Sequence, residues 1–109
     1  MLDEKEFRTR SEEALTSLQR ALEKASDNHE FEVDSNAGAL SIEFDNPPAK
    51  FVVSPNAPVR QIWVSARVQS FKLDWNGSSA FVLPDGRTLH RLIGDVIGEQ
   101  IGETVSLPD

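Results

Sequence analysis

Three carboxylates at period two open the chemistry of this 109-residue chain. Glu30, Glu32 and Asp34 alternate with Phe31 and Val33, so in an extended segment all three acids leave the same side, with about 6–7 Å between neighbours. Glu12 and Glu23, mostly off the apolar stripe of the preceding segment, and Asp27 just beyond it, extend the acidic set. Carboxylate oxygens suit hard cations, and nothing in the pattern encloses one, so the predicted site is open, weak and poorly selective. The same charges have a second use on an edge strand, where they block sheet-to-sheet aggregation. Both readings stand at this level.

A second constellation lies in the segment QIWVSA. Alternation puts Ile62, Val64 and Ala66 on one side and Gln61, Trp63 and Ser65 on the other, so the largest apolar side chain falls with the polar set. A tryptophan among small polar groups fits an interface anchor, because this residue is over-represented among binding hot spots. The alternative is a ring lying flat on the sheet beneath Arg60 or Lys72. Trp75, in contrast, shares parity with Phe71 and Leu73 and is expected in the core. His29 and His90 have no ligand partner at helical spacing and are expected on the solvated surface. No GxSxG, HExxH, GxxxxGK[ST] or GxGxxG is present, so an enzymatic reading would rest on the carboxylates alone.

Composition narrows the partners. The absence of cysteine excludes disulfides, thiolate metal sites, iron-sulfur ligation by this chain and cysteine nucleophiles. The net charge is −7, and all of it falls in residues 1–45, with twelve acids and five bases; residues 46–109 carry six of each. Nucleic acid is a poor partner for such a surface, whereas cations or a basic protein suit it. The apolar runs are far shorter than the roughly 20 residues needed to cross a bilayer. The acidic start MLDEKEF lacks the positive charge of a signal or transit peptide, and a soluble, cytosolic protein is expected.

These residues must be positioned by a small set of elements. Phe7, Ala14, Leu15, Leu18, Leu22 and Ala25 predict an amphipathic helix from about Asp3 to Ser26. Strands follow at Glu30–Asp34 and Leu40–Asp45, joined by the SNAG turn. DNPPA breaks the pattern, Lys50–Val53 resumes it and SPNAP breaks it again. A strand over about Val59–Arg67 carries the tryptophan, SFKLDW makes the next, and Asn76-Gly77 signals a hairpin to a short strand at Ala80–Leu83. Thr88 caps a second helix whose Gly94, Gly98 and Gly102 point to close approach to the sheet or local laxity. Val105 and Leu107 are expected to fill a gap between the helices. The connections are too short for parallel crossovers. The prediction is a single α+β domain over residues 1–109, a two-layer α/β sandwich with two terminal helices on one face of an antiparallel sheet of about six strands and the other face wet.

SNAGALSIEF, QIWVSA, FKLDWNG, DGRTLHRLI and the final GETVSL occur in an order and spacing that resembles the frataxin family, in its bacterial CyaY-type branch. The resemblance spans nearly the whole chain and implies the same sandwich. It implies iron binding, as Fe(II) or Fe(III), at an acidic ridge mapped onto Glu12, Glu23, Asp27, Glu30, Glu32 and Asp34. It also implies a role as regulator or iron donor in iron-sulfur cluster assembly, by docking on the cysteine desulfurase and the cluster scaffold. Gln19, Arg20, Lys24 and Ser26 stand where bacterial relatives often carry more acids, which concentrates the expected site on Glu30, Glu32 and Asp34. Trp63 with Gln61 and Ser65 would form the second contact surface, flanked by Ser54 and Asn56 where relatives place larger polar residues. The expected state is a monomer in the bacterial cytoplasm, with an iron-dependent oligomer as the alternative. Two other functions compete, a ferroxidase and a metal-independent interaction module.

Overall fold

The computed structural model describes residues 2–45 and 48–107. Helix α1 (Glu4–Ala25) starts at Asp3, whose carboxylate accepts the Glu6 N–H at 2.8 Å. Glu4 and Glu6 add negative charge at the positive end of the helix dipole. With no glycine or proline to interrupt it, the helix keeps one stripe, Phe7, Leu15, Leu18 and Leu22, buried. Ser11 shares that stripe, and its hydroxyl is satisfied by donating to the Arg8 carbonyl at 3.1 Å.

Six antiparallel strands follow as a simple meander: β1 (Glu32–Asn36), β2 (Ala39–Asp45), β3 (Pro48–Asn56), β4 (Gln61–Ala66), β5 (Gln69–Trp75) and β6 (Phe81–Val82). Two-residue turns fix the register of two hairpins. Ala37 and Gly38 both adopt positive φ, which sets Asn36 opposite Ala39 and therefore Glu32 opposite Glu43. The second turn, Arg67-Val68, sets Ala66 opposite Gln69 and therefore Trp63 opposite Lys72. Period-two alternation then sends Leu40, Ile42, Phe44, Phe51, Val53, Ile62, Val64 and Leu73 into the core under the helices. Full burial of each such side chain contributes about 1.5–3 kcal/mol; truncating a wholly buried one, such as Ile62→Ala, costs about 2–5 kcal/mol.

Helix α2 (Leu89–Ile101) is capped by Thr88, whose hydroxyl accepts the Arg91 N–H at 3.2 Å, and it ends at Gly102 in the left-handed conformation. The two-layer α+β sandwich is as predicted, with both helices on one face.

Several local expectations are corrected. Ser54, Pro55 and Asn56 belong to β3 rather than to a break. The β2 pairing ends at Val53, so Pro55 lies where β3 has only β4 beside it, a position that tolerates a missing donor. The other expected break is only partly visible, because Asn46 and Pro47 lie outside the described residues. Asn76-Gly77 does not form a two-residue turn. Gly77 alone takes positive φ, and the Asn76 side-chain oxygen accepts the N–H groups of Ser78, Ser79 and Ala80, building a wider loop.

The glycines of α2 approach the C-terminal tail, not the sheet. A Cβ on Gly98 would lie 2.7 Å from the Glu103 carbonyl oxygen, and one on Gly94 would lie 2.9 Å from that of Val105. The tail thus folds back along α2, burying Leu107 and part of Val105. His90 is buried, at 7 % exposure, and not on the surface. It follows the capping residue on the first turn of α2, whose inward stripe it joins.

Candidate functional site

The outward face of the sheet holds the strand acids and the tryptophan constellation. Along its first edge, Phe31 is buried and Val33 packs against the core, so parity turns Glu32 and Asp34 outward, with Glu30 exposed just before the strand begins. Glu12 and Glu23 are exposed on α1, and Asp27 is exposed just beyond its C-terminus. β1 is an edge strand of the sheet, where such charges also block sheet-to-sheet pairing. These acids share a region without sharing a centre. Among the described residues, no group of three or more His, Asp or Glu side chains could hold a metal ion. Glu12 and Glu23 are eleven residues apart on the helix, about 16 Å along its axis.

One acid missed by the sequence reading joins this edge. Glu43 sits directly opposite Glu32, a like-charge pair, and its other neighbour Lys50 lies 3.8 Å away. Like charges facing across strands are destabilising, and Lys50 on the other side of Glu43 offsets this repulsion. A second unforeseen contact anchors the adjoining loop: His29 Nδ1 and Glu103 Oε1 lie 2.6 Å apart, tying the residues after α1 to the tail beyond α2.

The second constellation is ordered atom by atom. Trp63 is 38 % exposed on β4, and its indole N–H donates to Gln61 Oε1 at 2.9 Å, two residues back on the same face. The Gln61 amide N–H donates in turn to Asp74 Oδ1 at 3.0 Å, directly across the β4–β5 ladder. Lys72, directly opposite Trp63, places its ammonium 4.9 Å from the ring centroid. The expected flat ring beneath a long neighbour is therefore seen in part: Lys72 covers one side of an indole that remains accessible. Beside it lies a shallow depression lined by Val52, Ser54, Ser65 and Ser70. Asn56 faces Gln61 across β3–β4, and Ser65 faces Val52, so Asn56, Gln61, Trp63 and Ser65 do converge on one surface. Asp74 and Lys72 complete it; parity and the 67–68 turn were the signals that could have found them.

Trp75 packs against the core, edge-on to Phe81, with the Arg10 guanidinium 5.5 Å from its ring. No described helix is long and apolar enough to cross a membrane.

Comparison with known proteins agrees with this architecture. A family model described as a frataxin-like domain matches residues 1–103. The "Iron-sulfur cluster assembly protein CyaY" of Dechloromonas aromatica is 31 % identical over 106 residues, covering 97 % of this chain and 99 % of that protein. The protein of the same name from Azotobacter vinelandii is 32 % identical over 104 residues, with 92 % and 94 % covered. That of Pseudomonas aeruginosa is 33 % identical over 103, with 91 % and 94 % covered. Among solved structures, a frataxin from Psychromonas ingrahamii superposes with a TM-score of 0.84 over 99 % of this chain and 100 % of that one, at 19 % identity. That last likeness is one of fold.

Proposed function

This chain belongs to the frataxin-like family, and from that premise we propose that it serves iron-sulfur cluster assembly in the bacterial cytoplasm as an iron-binding adaptor. In this reading Trp63 and the face around it dock on the cluster scaffold, and the acidic edge docks on a basic surface of the cysteine desulfurase. Iron is cargo held weakly at that edge, by one or two of Glu30, Glu32 and Asp34 with water completing its shell; Glu12, Glu23 and Asp27 add attraction at longer range.

The observation that carries the proposal is the exposed indole held in one orientation by Gln61 and Lys72. Exposing a large ring costs stability unless it has another use, and ordering it beforehand lowers the entropy lost when a partner binds. The scattered carboxylates support cargo binding in preference to a resident metal centre.

Binding of the purified scaffold and desulfurase, compared between the wild type and Trp63→Ala, tests the docking half. Retention of both complexes by the variant would defeat it. Anaerobic Fe(II) titration followed by NMR tests the other half: the signals of Glu30, Glu32 and Asp34 should broaden first. Broadening confined to His29 and His90 would remove iron from the edge and defeat this half.

A further inference from the structure

The three side chains linked through the exposed ring, Trp63, Gln61 and Asp74, differ in what they can do as hydrogen-bonding groups. An indole N–H only donates, an ionised carboxylate only accepts, and a primary amide does both. Gln61 lies between the first two, with its carbonyl oxygen 2.9 Å from the Trp63 Nε1 and its nitrogen 3.0 Å from Asp74 Oδ1. The order acceptor, amide, donor admits only one direction. Turning the Gln61 amide over would set its NH2 against the indole N–H and its oxygen against the carboxylate, losing both bonds.

We infer that Asp74 is the positioning residue of the docking surface: it fixes the Gln61 amide, which fixes the rotation of the Trp63 ring, without touching the partner itself. This rests on the proposed docking role of Trp63. The ladder places the relay where it must be. Gln61 and Asp74 are directly paired across β4–β5, and Trp63 lies two residues on, the next outward position of β4. Lys72, paired with Trp63, covers one side of the ring. The indole N–H is thus already bonded within the protein, and the partner meets an open apolar face and edge. A pocket that grips aliphatic or aromatic side chains fits that presentation; one that demands a hydrogen bond from the indole does not.

Asp74→Asn tests this with almost no change in size. An asparagine can offer Gln61 either its oxygen or its NH2, so both amide orientations become available and the ring loses its unique setting. Holding one such side chain is worth several-fold in affinity, so scaffold binding should weaken about three- to tenfold. In the same variant the Trp63 Nε1–H should exchange with solvent several-fold faster in 15N NMR, while that of Trp75 stays as in the wild type. Gln61→Ala should reproduce both changes. Three results would overturn the inference. The first is wild-type affinity in Asp74→Asn with a loss in Trp63→Ala, which leaves the docking role intact. Affinity could fall with the indole signal unmoved, which makes Asp74 a direct contact. Wild-type binding by Trp63→Ala would remove the docking role and the inference together.

Discussion

On one outward sheet face, the edge formed by Glu30, Glu32 and Asp34 and the surface around Trp63 solve opposite problems. At the edge, charge is concentrated while geometry is loose: the acids are exposed, Glu32 faces another acid, Glu43, and no set of donors converges among the described residues. Around Trp63 little net charge is present, yet the hydrogen bonds of the indole and of the Gln61 amide are assigned to definite partners and the ring is covered on one side. A surface of the first kind attracts over distance and tolerates sliding. One of the second kind selects by shape at contact. The difference teaches that encounter and recognition can be divided between the edge and the interior strands of a single sheet.

Perturbations can break or sharpen that division. Trp63→Ala should have the largest effect, weakening scaffold binding about 30-fold or more, because loss of a hot-spot tryptophan typically costs about 2 kcal/mol or more. The loss should persist at high salt, as calorimetry would show.

Replacing Glu30, Glu32 and Asp34 together by Gln, Gln and Asn should instead slow desulfurase association about tenfold at low ionic strength. That difference should fade as salt approaches about 0.5 M, where charges are screened within a few ångströms. The melting temperature should hold or rise slightly, because the Glu32–Glu43 repulsion is gone.

Gly98→Ala probes how firmly the edge loop is anchored. Its Cβ would lie 2.7 Å from the Glu103 carbonyl oxygen and would displace the residue that holds His29. Crowding of this kind costs about 1–3 kcal/mol, and the better helix former returns about 1. A net loss near 1 kcal/mol should lower Tm by roughly 4–8 °C in a domain of this size. His29 signals should shift in NMR while the Trp63 indole stays put; movement of both would show that the two regions are mechanically one.

The smallest effect is expected outside both. Asp85 accepts the Arg87 backbone N–H, and this bond, strengthened by the Arg87 side chain, holds its carboxyl below the usual range despite the opposing effect of desolvation. A lowered folded pKa means that the stabilisation is present above the ordinary aspartate range and is lost as pH falls through the lowered value. Asp85→Asn should leave Tm at neutral pH nearly unchanged, as exposed ion pairs contribute little, and should slightly flatten the acid limb of a Tm–pH profile.

The amino-acid sequence by itself determined most of the elements and which way their faces turn. Phe7, Leu15, Leu18 and Leu22 at helical spacing dictated α1, and Ile62, Val64 and Ala66 at period two forced Trp63 outward, because alternation leaves a strand no other choice. Capping chemistry at Thr88 marked where α2 begins. The positions of the acids along the chain fixed which edge would be negative. Only the tertiary structure decided who meets whom. The register of each hairpin depends on where its turn closes, and a shift there would have given Trp63 and Gln61 other partners. The same holds for His29 with Glu103, 74 residues apart, and for Gly94 and Gly98 against the tail. Burial of His90 likewise followed from packing around α2. Local preferences act within a few residues, whereas these pairings arise from closing the sheet and folding the tail back, so their information is distributed over the whole chain.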